Sequence, residues 1–75
     1  MHFIEETAKL LTPREREVLV LIGKGGTTKE VATTMGLSTE TIGDYRKQLC
    51  RKLDIHSTAQ LVAYGAATLV STAAP

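Results

Sequence analysis

Hydrophobic residues recur along the chain with the spacing of α-helices. They form four groups: Val18, Leu19, Leu21 and Ile22; Val31, Ala32 and Met35; Ile42, Tyr45, Leu49 and Leu53; Leu61, Val62, Ala66 and Leu69. Within a group, residues three or four positions apart lie on one face of a helix. No segment alternates between apolar and polar residues with a period of two. The pattern therefore predicts an all-α domain with one shared core.

Residues that favour helix ends stand on either side of each group. The four candidate N-caps are Thr12, Thr27, Ser38 and Ser57. Three of them have a partner for a reciprocal capping box at the third helical position, namely Glu15, Glu30 and Gln60. The breaks after the first three helices contain Gly23, Gly25 and Gly26, then Gly36, then Asp54 to His56. These signals predict a compact four-helix domain, with helices at about 13–23, 28–35, 39–53 and 58–70.

The second and third predicted helices are separated by a short turn around Gly36. Two capped helices joined in this way are typical of a helix-turn-helix, whose second helix enters the DNA major groove. We interpret residues 11–70 as this one domain. Residues 1–10 are either a linker remnant or a short leading helix, and residues 71–75 form a tail.

Composition restricts the setting in which such a domain can work. With 75 residues, the chain is near the lower limit for a single hydrophobic core. One cysteine, Cys50, excludes an internal disulfide framework, and no apolar run approaches the roughly 20 residues that span a bilayer. The acidic start of the chain is unlike the basic start of a signal peptide. We therefore expect a cytoplasmic protein that does not bind a membrane.

The net charge of +1, from 9 basic and 8 acidic residues, is low for a nucleic-acid binder. The charges are unevenly distributed, however, because the stretch 46–53 contains four cations and no acid. The cations are Arg46, Lys47, Arg51 and Lys52. This stretch either meets DNA phosphates or is a solvated cationic face.

Signals for catalysis or for a cofactor are absent from the sequence. No nucleophile has a plausible base near it, and the glycines at 23–26 lack the Lys-Ser/Thr ending of a phosphate-binding P-loop. His2 and His56 are isolated, so we expect surface residues and no metal site. Cys50 fits a small, partly buried hydrophobe, with redox sensing as the alternative. We predict a protein that is not an enzyme and binds no cofactor.

Several segments match a known family in order and spacing. They read LTPREREVLVLI, GGTTKEVA, LSTETI and, later, KL and LVAY, between about Leu11 and Tyr64. The chain resembles the LuxR/FixJ (NarL/FixJ) DNA-binding domain, the output module of many bacterial response regulators and quorum-sensing regulators. The resemblance implies a helix-turn-helix formed by helices two and three and a homodimer contact through helix four. It also implies a receiver or sensor domain ahead of this module, unless the chain is a stand-alone regulator.

The third helix would present one polar face to DNA. With its hydrophobic residues turned inward, the opposite face carries Glu40, Gly43, Asp44, Lys47, Gln48 and Arg51. Lys47 corresponds to a family position that often reaches base edges, and we expect it to contact guanine. Asp44 can accept a hydrogen bond from a cytosine amino group, and Gly43 stands where the family usually has a long cation. We predict base reading by Lys47, supported by Asp44, with Gly43 and Glu40 on the same surface.

Phosphate contacts are expected beside this surface. Arg46, Arg51 and Lys52 suit phosphates, which set affinity and register but carry no sequence information. Thr27, Thr28 and Lys29 begin the second helix, where free backbone amides and the positive helix end can hold a phosphate. Tyr45 replaces a histidine of the family pattern, and its ring packs in the core or its hydroxyl reaches a phosphate.

The fourth helix carries an alanine-rich face that would allow a second helix to approach closely. Its residues are Ala59, Val62, Ala63, Ala66, Ala67 and Val70. They form a homodimer interface or only cover the core of their own domain. The predicted function is sequence-specific binding of double-stranded DNA to regulate transcription, with RNA polymerase as a further partner. The alternative is a protein-interaction module that kept the fold and lost DNA binding.

Overall fold

Four α-helices make up the structure, a computed structural model that describes residues 10–73, with side chains described for residues 10–68. The helices are α1 (Pro13–Gly23), α2 (Thr28–Met35), α3 (Thr39–Leu53) and α4 (Thr58–Ala73). No strand occurs in this part of the chain. The predicted all-α fold is therefore confirmed. The predicted leading segment lies, except for Leu10, outside the described residues.

The fourth helix is longer than the sequence pattern suggested. It continues to Ala73, through the first three residues of the predicted tail. No glycine or proline stands between Tyr64 and Ala73 except Gly65, which the helix accommodates, so nothing local stops the helix earlier. The rest of the predicted tail, residues 74 and 75, lies outside the described residues.

The predicted N-caps form, with one difference at α4. In α1 and α2, the hydroxyls of Thr12 and Thr27 accept from the amides of Glu15 and Glu30, and both capping boxes are complete. Ser38 accepts from the amide of Thr41. The Ser57 hydroxyl accepts a hydrogen bond from the amide of Gln60, but the Gln60 side-chain oxygen accepts from the backbone amide of His56 and not from that of Ser57. The reciprocal bond thus falls one residue before the cap.

Three helix ends depend on backbone conformations that also match the sequence signals. Gly25 and Gly36 take positive φ angles of 94° and 68° after α1 and α2. Asp54 ends α3 in the left-handed conformation, with φ 54° and ψ 50°. The amide of Ile55 then donates to the carbonyl of Cys50 at 2.9 Å, and the Ile55 side chain turns into the core. The sequence pattern did not predict that Ile55 would be buried.

The core is built from one face of each helix. Its buried residues are Val18, Leu19, Ile22, Val31, Ala32, Ile42, Leu49, Leu53, Ile55 and Leu61. Full burial of a side chain of this size stabilises a fold by about 1.5 to 3 kcal/mol. Leu37, in the turn between α2 and α3, also packs against this cluster. The turn and both helices of the helix-turn-helix therefore share one core, which fixes how α3 is presented.

The inward face of α4 differs from the predicted face. Leu61, Gly65 and Thr68 are buried, whereas Ala66 is exposed. Ala66, which the sequence placed both in the hydrophobic group and in the alanine-rich face, lies at the surface, and the side chain of Leu69 lies outside those described. The cause is a close crossing with α1, because a Cβ added to Gly65 would lie 2.5 Å from the carbonyl oxygen of Leu19. Only a residue without a side chain fits there, so Gly65 turns inward.

Candidate nucleic-acid interface

The polar face of α3 is exposed as the sequence predicted. Glu40, Asp44, Lys47 and Gln48 are exposed, on the side opposite the fully buried Ile42 and Leu49. Within the described chain, no hydrogen bond or ion pair engages the side chains of Asp44 and Lys47. An ion pair between them would have neutralised both groups. The acid and the cation are thus both available to a ligand along this face.

Gly43 lies in the middle of this face and has no packing neighbour that would require a glycine. A Cβ built at position 43 would meet no atom within 4 Å. Glycine in a helix interior is less stable than alanine by roughly 0.5 to 1 kcal/mol. The fold therefore gains nothing from Gly43, and the surface beside Asp44 is unusually flat.

The predicted phosphate-binding cations are in different environments. The Nζ atom of Lys52 lies 2.8 Å from Oε1 of Glu15 and donates to the carbonyl of Leu10 at 3.4 Å. Arg51 is exposed, and its guanidinium donates to Oε1 of Gln48 at 3.3 Å. Arg46 is half-buried. Lys52 thus has a structural partner that the sequence interpretation did not foresee, and we leave it out of the interface proposed below.

Glu15 joins the start of α1 to the end of α3. Glu15 is only 4% exposed, and its Oε1 atom accepts hydrogen bonds from both the Thr12 amide and the Lys52 ammonium. Burial raises the pKa of the Glu15 carboxyl, but the bonds from Lys52 and Thr12 outweigh it, so the pKa lies below its ordinary value. Glu17, two positions further along α1, is exposed.

The start of α2 has free donors but also an acid. The Thr27 hydroxyl oxygen accepts from the Glu30 amide, and the Glu30 carboxylate accepts from the Thr27 amide at 2.9 Å. The backbone bond from Thr27 lowers the pKa of the Glu30 carboxyl, so Glu30 is anionic at neutral pH. Thr28 is half-buried and Lys29 is exposed. A phosphate here would meet Lys29 and the Thr27 hydroxyl close to a fixed negative charge.

Three further residues match their simpler interpretation. The Tyr45 ring is half-buried and packs against the core, as does Cys50. His56 is exposed at the surface, with its Nε2 atom 3.2 Å from Asp54. His2 lies outside the described residues. Residues 10–73 contain no group of three or more histidine, cysteine, aspartate or glutamate side chains placed to hold a metal ion.

The alanine-rich face of α4 points away from the core. Ala59, Ala63 and Ala66 are exposed, Ala67 is half-buried, and Val62 is half-buried against the core cluster. The side chain of Val70 lies outside those described. Residues spaced by four and then three positions share one side of a helix, so the three exposed alanines form a continuous small-residue strip.

Two contacts of this region were not predicted from the sequence. Gln48 holds the guanidinium of Arg51, and its signal in the sequence was the spacing of three residues on one helix. Glu15 anchors Lys52 from 37 positions away in the sequence, and no local pattern could have indicated that contact.

Comparison with known proteins identifies the relatives of this arrangement. The transcriptional regulatory protein MctR of Rhizobium johnstonii is 46% identical over 61 residues, which cover 81% of this chain and 28% of MctR. The uncharacterized response regulatory protein YgeK of Escherichia coli is 44% identical over 52 residues, covering 69% and 35%. The oxygen regulatory protein NreC of Staphylococcus haemolyticus is 38% identical over 56 residues, covering 75% and 26%. No solved structure matches the chain significantly.

The chain spans about a third or less of the length of these relatives. None of the helices within residues 10–73 is both long enough and apolar enough to cross a membrane. Residues 9–64 match the family described as "Bacterial regulatory proteins, luxR family". Together with the capped helix-turn-helix, this match shows that the chain belongs to the luxR family of bacterial regulatory proteins, a family of DNA-binding transcription regulators.

Proposed function

We propose that this domain binds double-stranded DNA by placing the exposed face of α3 in the major groove. The observation that carries the proposal is the pairing of a fully buried inner face, made by Ile42 and Leu49, with an outer face whose polar side chains are exposed. A recognition helix must be held firmly by the core while its base-contacting side chains stay free. In this proposal the domain binds DNA and catalyses no reaction.

Base reading and anchoring are divided between different residues of the surface. Lys47 is exposed and has no partner among the described residues, so it suits the O6 and N7 acceptors of guanine, while Asp44, Gly43 and Glu40 complete the reading face. The phosphate contacts come from both helices of the motif. They are Thr27, Thr28 and Lys29 at the start of α2, and Arg46 and Arg51 on α3. Tyr45 would add only its hydroxyl, because its half-buried ring packs against the core.

The domain also acts as a homodimer on DNA through α4. The exposed strip of Ala59, Ala63 and Ala66 would let two copies of the helix approach closely around a two-fold axis. Val62 lies at one edge of the strip, and the sequence also assigned Val70 to this interface. One short recognition helix offers few contacts, so two copies on half-sites about one helical turn apart would roughly double them.

The full regulator extends beyond this domain. Because the relatives are much longer, we propose that the chain is the output module of a response regulator, with an input domain that supplies the signal. Bound near a promoter, it would act on RNA polymerase as a further partner. DNA binding and contact with RNA polymerase would both take place in the cytoplasm, where the bacterial chromosome lies.

A salt titration on selected DNA tests the binding mode. Duplexes are first enriched from a random pool, and affinity for the enriched sequence is then measured between about 50 and 200 mM salt. We expect log affinity to fall linearly with log salt, because cations released from phosphates drive binding. Arg51→Ala should reduce that slope by about 1, with base preference unchanged. Lys47→Ala should instead lower the affinity ratio between the selected and a scrambled duplex by roughly tenfold.

Each variant controls for the other, since both remove one exposed cation from the same helix. If the two variants changed the salt slope by the same amount and the base preference by the same amount, the division of roles between Lys47 and Arg51 would be wrong. Weak binding to every duplex, with no enrichment from the pool, would instead favour a protein-interaction module, an outcome to which the near-neutral net charge lends weight.

A further inference from the structure

Asp44 is an acid on the surface proposed above to face DNA, and no hydrogen bond or ion pair within the described residues engages its carboxylate. Lys47 is one turn further along α3, yet no ion pair joins the two side chains. A carboxylate in this place repels phosphates and lowers affinity unless it meets a hydrogen-bond donor. In the major groove, the base donors are the amino groups of cytosine and adenine.

Of these two bases, cytosine suits a carboxylate better. Adenine presents the acceptor N7 beside its amino group, and that lone pair repels a second acceptor. Cytosine presents its N4 amino group with no acceptor on the same base edge. An ionised aspartate, which can only accept, therefore discriminates in favour of cytosine.

Aspartate has a short side chain, so the helix must come close to the base edge for this contact. Gly43 is adjacent, and the space around its missing side chain is open: no atom of the described residues lies within 4 Å of a Cβ built there. Packing therefore does not explain the glycine, although glycine weakens a helix interior. Close approach of the backbone to a ligand is a use of glycine that does explain it.

We propose that Gly43 and Asp44 form one cytosine-reading element. The missing side chain at position 43 lets α3 approach the groove, the Asp44 carboxylate accepts from a cytosine amino group, and Lys47 donates to a nearby guanine. The proposal rests on the DNA-binding function proposed above and names the bases which that same surface selects.

Selection from a random duplex pool tests the element directly, using the whole chain and four variants. The wild-type chain should enrich a cytosine at one position of each half-site. Asp44→Ala should lose the preference at that position alone, and Asp44→Asn should change it to adenine, since an amide both donates to N7 and accepts from N6. Gly43→Ala should weaken the cytosine preference, because the methyl group holds the helix away.

Competition binding then measures the size of the effect. Replacing the selected cytosine by thymine, which presents an acceptor in place of the donor, should weaken wild-type binding by roughly 5- to 100-fold. For Asp44→Ala, the same change should cost less than about threefold. Glu17→Ala is the matched control, because it removes an equal charge from an exposed position on α1. It should select the wild-type sequence.

The outcomes distinguish a failure of the cytosine-reading element from a failure of the DNA-binding function. If Asp44→Ala still selects the wild-type base, or if Gly43→Ala keeps the full cytosine preference, the cytosine-reading element is wrong while DNA binding stands. If the wild-type chain enriches no sequence at all, the proposed DNA-binding function fails, and this inference fails with it.

Discussion

At the scale of single residues, the buried carboxylate of Glu15 contributes more to stability than any exposed acid of the chain should. It is 4% exposed and bonded to both the Thr12 amide and the Lys52 ammonium. Glu15→Gln keeps the shape but removes the charge, and we expect unfolding to become easier by about 1 to 3 kcal/mol at pH 7. Urea denaturation followed by circular dichroism measures this difference.

The same residue predicts a pH dependence. Because the folded state lowers the pKa of Glu15 below its ordinary value of 4.5, the ionised carboxylate stabilises the fold fully above that value. The contribution is lost as the pH falls through 4.5 and then through the lower pKa of the folded state. The stability gap between wild type and Glu15→Gln should therefore shrink between pH 6 and pH 3. Glu17→Gln, at an exposed position, should stay within about 0.5 kcal/mol of wild type throughout. A gap that does not change with pH would contradict the assigned ion pair.

Among single residues, the sequence predicted the local roles and missed the distant ones. The caps at Thr12, Thr27 and Ser38 are recognisable because the two partners of each bond stand three positions apart. Lys52 belongs to the stretch 46–53, which contains no acid, so it was interpreted as a phosphate ligand. Its partner Glu15 becomes a neighbour only when α1 and α3 pack together.

At the scale of helices, the crossing of α1 and α4 depends on two glycines in contact. A Cβ at Gly65 would lie 2.5 Å from the Leu19 carbonyl oxygen and 2.8 Å from the Gly23 backbone. Neither neighbour can move without shifting a helix, so Gly65→Ala should destabilise the domain by about 1 to 3 kcal/mol. Thermal unfolding of the purified variant measures the loss.

Gly43→Ala is the matched control for that substitution. It makes the same chemical change in a helix, at a position with open space, and should stabilise the domain by about 0.5 to 1 kcal/mol. Opposite signs would show that the packing of α1 on α4 decides the result, not helix propensity. A stabilising Gly65→Ala would mean that the two helices do not cross at this point.

The helices themselves were predictable, but how they pack was not. The bounds of α1, α2 and α3 match the predicted ones because capping residues, glycines and apolar spacing all act within a few positions. The inward face of α4 was partly mistaken because alanine and glycine give almost no hydropathy signal. Which of Gly65 and Ala66 turns inward depends on the glycine at position 23 of another helix.

At the scale of the whole molecule, the exposed strip on α4 gives the chain a second face, separate from the reading face of α3. We predict that Ala63→Glu, in the middle of this strip, blocks dimer formation on DNA while leaving the monomer folded, since Ala63 is exposed. In the dimer, the introduced carboxylate would be buried near the two-fold axis, where it would repel the same carboxylate of the second copy. Affinity for a palindromic duplex should fall by at least about tenfold.

Sedimentation of the protein with a palindromic duplex separates this effect from a loss of DNA contacts. The wild-type chain should bind each duplex as a pair and saturate at two copies. Ala63→Glu should bind the two half-sites independently, so that complexes with a single copy appear first. Thr58→Glu adds the same charge to an exposed position of α4 away from the strip, and it should behave as the wild type. Because a half-site needs only α2 and α3, binding of both variants to a single half-site should equal that of the wild type. If wild type saturates at one copy, or if Ala63→Glu binds as a pair with undiminished affinity, α4 does not join two domains and its exposed alanines are ordinary surface residues.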